Sequence, residues 1–159
     1  MRATPDQRLT KKALKVWRIT ASLEMILYLL LAVGYGLASR YFNFSSWVLL
    51  PIIIFIITLG YVKIAVIPEL QWKRWRYKIY ENEVELLYGV FVVRRVIIPM
   101  IRVQHVDTKQ GPILRRYRLA AVTISTAATV HEIPGLEEKT ADELRDYIAG
   151  LAREADPDD

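Results

Sequence analysis

The chain contains no cysteine. That excludes a disulfide framework and a thiolate-held metal, and it fits a reducing compartment for whatever part lies outside a membrane. Histidine is scarce, His105 and His131 being the only two. No G-x-S-x-G elbow, glycine-rich phosphate loop or H-E-x-x-H run occurs, and there is no repeat or low-complexity stretch. A triad can be sketched from His105 and Asp107 with Thr123, Ser125 and Thr126. Histidine two residues from aspartate in a strand is more simply a structural hydrogen-bond pair, and a reaction needs positioned groups as well as suitable side chains. The chain therefore reads as a non-enzyme, with no catalytic residue, no metal ligand and no cofactor.

Charge is missing from two long runs. Between Arg18 and Arg40 the only charged residue is Glu24, and from Tyr41 through Val62 there is none. A helix rising about 1.5 Å per residue needs roughly 20 apolar residues to cross hydrocarbon, and both runs reach that length. The first run is too long for a signal peptide and is followed at once by a second span. Trp17, Tyr41, Phe42, Trp47, Trp72 and Trp75 fall near the expected membrane interfaces. Spans are thus expected at about 19–39 and 46–67, within a hairpin over 19–67 preceded by a basic segment over 1–18. Arg2, Arg8, Lys11, Lys12, Lys15 and Arg18 precede the first span, and Lys63, Lys73, Arg74, Arg76 and Lys78 follow or close the second, whereas the loop offers only Arg40. This bias places both termini in the cytoplasm and the loop around Ser39 to Ser46 outside. Glu24 reads as an interfacial carboxylate paired with Arg18 or Lys63, in preference to a proton or substrate relay, which would sit deeper in the span. Ala32, Gly34, Gly36 and Ala38 form a small-residue helix face suited to close packing.

Beyond Trp72 the pattern alternates with a period of two, as strands do. Expected strands run from Trp72 to Tyr80, Val84 to Tyr88, Val90 to Ile98, Val103 to Lys109, Ala121 to Thr126 and Thr129 to Ile133. Gly89 turns the chain, Gly111-Pro112 opens a short turn bearing Arg115, Arg116 and Arg118, and Pro134-Gly135 ends the last strand. Thr140 and Glu143 match a capping box. Leu144, Tyr147, Ile148 and Leu151 then give the apolar stripe of a final helix. The soluble domain is expected over 72–153 and an acidic tail over 154–159.

Net charge is +5, but its distribution matters more than its sum. Trp72 to Arg118 holds eleven Lys and Arg against four Asp and Glu, and the remainder holds three against ten. The basic part directly follows the second span, so anionic lipid of the inner leaflet is its expected partner, each cation near the surface gaining about 1 kcal/mol. Arg74, Arg76, Arg115, Arg116 and Arg118 are the candidate headgroup ligands. Arg94 and Arg95 are adjacent in a strand and point to opposite faces. A basic, aromatic sheet also suits nucleic acid, but no DNA- or RNA-binding signature accompanies it, and nucleic acid is not expected.

The segments Trp75-Arg-Tyr-Lys-Ile-Tyr80, Val84-Glu-Leu-Leu-Tyr-Gly89, Arg94-Arg-Val-Ile-Ile-Pro99, Arg102-Val-Gln-His-Val-Asp107, Gln110-Gly-Pro112 and His131-Glu-Ile-Pro-Gly135 resemble the bacterial pleckstrin-homology-like (PH-like) family. This family is also described as the membrane-flanked domain, and the likeness is to its short YdbS-like members. The resemblance covers nearly the whole chain and implies a transmembrane helical hairpin followed by a mostly β PH-like barrel with one C-terminal helix, in a bacterial plasma membrane. It implies partners bearing several copies of the domain. Two functions follow as expectations. In the first, the protein is a scaffold or assembly subunit working with a larger multi-domain partner or a second copy of itself, in envelope stress or resistance. The alternative is a module that binds or moves a lipid or other amphiphile.

Overall fold

The computed structural model describes residues 4–42 and 45–155. Asn43 of the expected outer loop and most of the acidic tail, from residue 156, lie outside the described residues. The chain divides into two compact units, Trp17–Leu70 and a second that joins Met1–Val16 to Gln71–Asp159.

The first unit is helical. Helix α1 runs over Lys11–Tyr41, entering this unit at Trp17, and α2 over Leu49–Tyr61 after a short turn at Ser46–Val48. A π-helical turn at Val62–Val66 then leads without a break into α3, Ile67–Arg74. Two helices, Lys11–Tyr41 and Leu49–Arg74, are long and apolar enough to cross a bilayer. Only 6% of the most apolar window of each is buried in the protein, so these residues face outward rather than into a core. The wide turn has a local cause. Pro68 lacks an N–H and its ring crowds the carbonyl four residues back. The Ile67 N–H meanwhile reaches back to the Val62 carbonyl, a π-type bond. Within the unit Lys63 Nζ lies 2.7 Å from Glu24 Oε2, and Arg18 lies 3.6 Å from Glu69.

The second unit contains two antiparallel sheets. In the first, β1 (Gln7–Arg8), β2 (Arg76–Ile79), β3 (Glu83–Tyr88) and β4 (Arg94–Pro99) pair in sequence order. In the second, β5 (Val103–Lys109), β6 (Leu119–Thr126) and β7 (Val130–Glu137) do the same. A short helix, α4 (Pro112–Arg116), joins β5 to β6, and α5 (Glu138–Ala155) closes the chain. The sheets are separate, so the PH-like architecture is an open sandwich and not a closed barrel. Val84, Leu86, Ile98, Met100, Leu119, Val122, Ile124, Ile133, Leu136 and Ile148 form the core, where packed aliphatic side chains supply the main stabilisation. Leu9, Ala13 and Val16 are buried as well. The segment that reads as a basic lead-in to the membrane thus completes this unit.

Several local readings are corrected. The strand expected from Trp72 starts only at Arg76, because α3 continues to Arg74 and the Trp75 N–H still bonds the Gln71 carbonyl at 2.9 Å. Trp72 and Trp75 are three apart, a spacing that places both on one side of a helix but on opposite faces of a strand. The final helix starts at Glu138, whose N–H bonds the Arg118 carbonyl, so Thr140 lies within the helix and is not its cap. Tyr147 is exposed, and Ala141 joins Ile148 as a buried residue of that helix. Pro134-Gly135 does not end β7 but sits at a register irregularity inside it. There Gly135 adopts φ +64°, and a Cβ on it would stand 2.3 Å from Ala13 Cβ. Thr10 Oγ1 donates to the Gly135 carbonyl at 2.9 Å, fixing the start of α1 against the sheet.

Candidate anion-binding site

The pairing of β1 with β2 sets Arg8 directly opposite Arg76, and β3 sets Leu87 beside Arg76 and Arg95 beyond it. Directly paired residues project from the same face of a sheet, so this outer face carries three guanidinium groups in one cross-strand row. Arg95 is balanced by Glu85, whose carboxylate is fully buried with Oε1 2.7 Å from Arg95 Nε. Arg8 and Arg76 have no such partner among the described residues. Asp6, the nearby carboxylate, is taken by Lys78 at 2.8 Å. Like charges facing each other across a strand pair are unfavourable. Arg76 is accordingly held below the usual guanidinium value, first by burial and then by Arg8.

Lys73 and Arg74 join these two at the rim of a cleft of about 440 Å³. Arg74 Nη1 donates to the Val90 carbonyl and Arg76 Nη1 to the Trp75 carbonyl at 2.8 Å. Trp75 beneath them is buried and stacks on Tyr88 with ring centroids 5.8 Å apart. Trp72 Nε1 donates to the carbonyls of Leu9 and Thr10, 3.1 Å each, holding the N-terminal strand in place. The cleft can accept an anion. Guanidinium groups offer paired donors that match phosphate or carboxylate oxygens.

The structure thus brings Arg74 and Arg76 together and adds Arg8 and Lys73. Arg115, Arg116 and Arg118 lie elsewhere, exposed on α4 and its C-terminal turn, and none lines this cleft. Arg118 adopts φ +53° and its carbonyl receives the first N–H of α5, so this turn is anchored. In the helical unit the small-residue set divides. Ala32 and Gly36 line an apolar groove against α2, where a Cβ on Gly36 would stand 3.6 Å from Leu49, whereas nothing lies within 4 Å of a Cβ on Gly34. Glu24 pairs with Lys63, one of the two partners expected for it. His105 stands opposite Ser125 and Asp107 opposite Thr123, while His131 Nε2 lies 2.9 Å from Thr129 Oγ1. Among the described residues no three His, Asp or Glu side chains converge as metal ligands.

Two candidate spans joined to an open sandwich with a closing helix define a membrane-associated protein of the PH-like class, and the sequence agrees. It matches the bacterial PH domain family over residues 13–152, spans included, and the chain belongs to that family. It is 44% identical over 158 residues to the UPF0699 transmembrane protein YdbS of Bacillus subtilis strain 168, covering 99% of both chains. No solved structure matches it significantly.

Proposed function

We propose that the protein is a non-catalytic lipid-recognition module, anchored by its hairpin at the inner face of a bacterial plasma membrane. In this reading the phosphates of anionic headgroups bind Arg8, Lys73, Arg74 and Arg76. The observation that carries it is the Arg8–Arg76 pair, two like charges set face to face that a bound anion relieves. The Lys/Arg bias supports cytoplasmic termini, which puts this cleft on the side where anionic lipid is richest. The exposed Arg115, Arg116 and Arg118 turn is a secondary, weaker contact. The test is native mass spectrometry of the full chain extracted with phosphatidylglycerol, cardiolipin and phosphatidylcholine. Anionic adducts should be retained and lost with salt, since screening acts within roughly 8–10 Å at physiological strength. Arg74→Ser with Arg76→Ser should remove most of them, and the Arg115, Arg116 and Arg118 triple Ser variant fewer. Equal retention by the first variant refutes the cleft.

A second reading, assembly with a larger membrane protein bearing several PH-like domains or with a second copy, has its own support. Ile97, Ile101 and Val130 are exposed apolar residues on the sandwich, and Gly34 opens outward from α1. Gly34→Leu should then break a high-mass complex in mild detergent. A single-chain mass for the parent protein refutes assembly.

A further inference from the structure

The connection between β3 and β4 is Gly89-Val90-Phe91-Val92-Val93, and its composition is unusual for a tight turn. Turns facing water draw on Gly, Asn, Asp, Ser and Pro, whose side chains bond the local backbone or tolerate its dihedrals. Here four of five residues are apolar, and Phe91, Val92 and Val93 are 87%, 71% and 51% exposed. The turn is nevertheless built. Gly89 adopts φ +130°, and a Cβ there would lie 1.9 Å from the Val92 carbonyl oxygen, so the chain folds tightly back on itself. Tyr88, at its base, stacks on buried Trp75. Arg74 holds the Val90 carbonyl, and Arg74 is the last residue of the helix that begins at Leu49 as a candidate span. Val93 lines the cationic cleft with Arg8, Lys73, Arg74 and Arg76, and Arg94 and Arg95 follow immediately. An exposed apolar tip beside a cationic cleft matches an anionic bilayer interface, where apolar side chains enter the headgroup–acyl boundary and the neighbouring cations meet phosphates.

The geometry points to the Phe91–Val93 tip as a membrane-inserting wedge that docks the PH-like unit onto the same bilayer that holds its spans. The wedge rests on the headgroup reading of the adjacent cleft, and adds an apolar contact that phosphate binding alone does not need. It also explains why valines occupy a turn that water would fill with polar residues.

The absence of native cysteine allows a direct test in the full chain. Phe91→Cys and, as control, Ala128→Cys on the β6–β7 turn are each labelled with an environment-sensitive fluorophore and placed in nanodiscs of phosphatidylglycerol or phosphatidylcholine. The label at 91 should emit at shorter wavelength in phosphatidylglycerol and lose most of its intensity to lipids carrying a nitroxide near the headgroup, with a smaller change in phosphatidylcholine. The label at 128 should emit as in water in both. Water-like, unquenched emission at 91 overturns the proposal. So does a protected label that nitroxide lipids do not quench, since a protein surface then covers the tip. If the tip fails while anionic lipid is still retained through Arg74 and Arg76, the wedge alone is wrong. If the label inserts while that retention is indifferent to those arginines, the cleft reading fails instead.

Discussion

Removing the Arg95 charge should be far more damaging than the loss of an ordinary surface arginine. Glu85 has a fully buried side chain, and neither of its oxygens has a hydrogen-bond partner in good geometry among the described residues. Arg95, whose side chain is 29% exposed, is its close cation. Breaking a buried ion pair by removing one partner costs about 3–5 kcal/mol, because the remaining charge stays desolvated. Water reaches Arg95, so the expected loss for Arg95→Met lies at the lower end, about 3 kcal/mol. In a unit of this size that lowers the melting temperature by roughly 10–20 °C. Thermal unfolding of the full chain in detergent, followed by circular dichroism in the β-sheet region, measures it. Glu85→Leu combined with Arg95→Met should recover most of the loss, since apolar replacement of a whole buried pair is often neutral or better. A single variant that melts like the parent, or a double variant no better than the single, refutes the claim that Glu85 is held as a buried charge.

Gly135→Ala should destabilise the sandwich by about 1–3 kcal/mol through its left-handed backbone and through the 2.3 Å approach to Ala13 Cβ. Adding Ala13→Gly should relieve only the steric part, and a melt of Gly135→Ala unchanged from the parent contradicts the docking of α1 on β7. Alkali should unfold this unit through β2. Burial pushes the Tyr77 hydroxyl above its usual 10.0, and the hydrogen bond to Asp6 raises Lys78 above 10.5. Both hold their protons more tightly when folded, so their contribution is complete below about pH 10 and is lost as pH rises through the folded values. Tyr77→Phe should move the onset in a circular-dichroism titration upward, and an unchanged onset would remove Tyr77 from the account. A membrane-impermeant thiol reagent on intact cells should label a cysteine at Ser45 and spare one at Asp107. Labelling at Asp107 reverses the orientation.

How far the fold could be read in advance depended on the range of the signal. Two charge-poor runs of over 20 residues leave little choice but helices that avoid water, so the hairpin was legible. Alternation at Val103 to Lys109 marked its strand, because one face must be more buried than the other. Strand β1 was not legible. It is two residues long and its partner lies nearly 70 positions away, so nothing local in Gln7-Arg8 announces pairing. That gap also hid half of the candidate site. Arg74 and Arg76 could be named from their place after the span, but Arg8 joins them only through tertiary pairing. Arg115, Arg116 and Arg118 show the converse, a sequence cluster that the fold leaves apart from the cleft. At Thr140-Ala-Asp-Glu143 a good capping pattern lost to tertiary context, since α5 begins two residues earlier where Glu138 bonds the Arg118 carbonyl. The Gly135 bulge escaped for a similar reason, its purpose being the approach of Ala13 from the far end of the chain.

The most direct test of the central claim is proximity between the cleft and lipid phosphate. Solid-state phosphorus–carbon dephasing in phosphatidylglycerol bilayers, with arginine guanidinium carbons labelled in the full chain, measures it. The account predicts strong dephasing of a subset of guanidinium signals, lost when Arg8, Arg74 and Arg76 are replaced by Ser and kept when Arg115, Arg116 and Arg118 are. Dephasing that survives the first set of replacements, or that is absent from the parent protein in anionic bilayers, contradicts it.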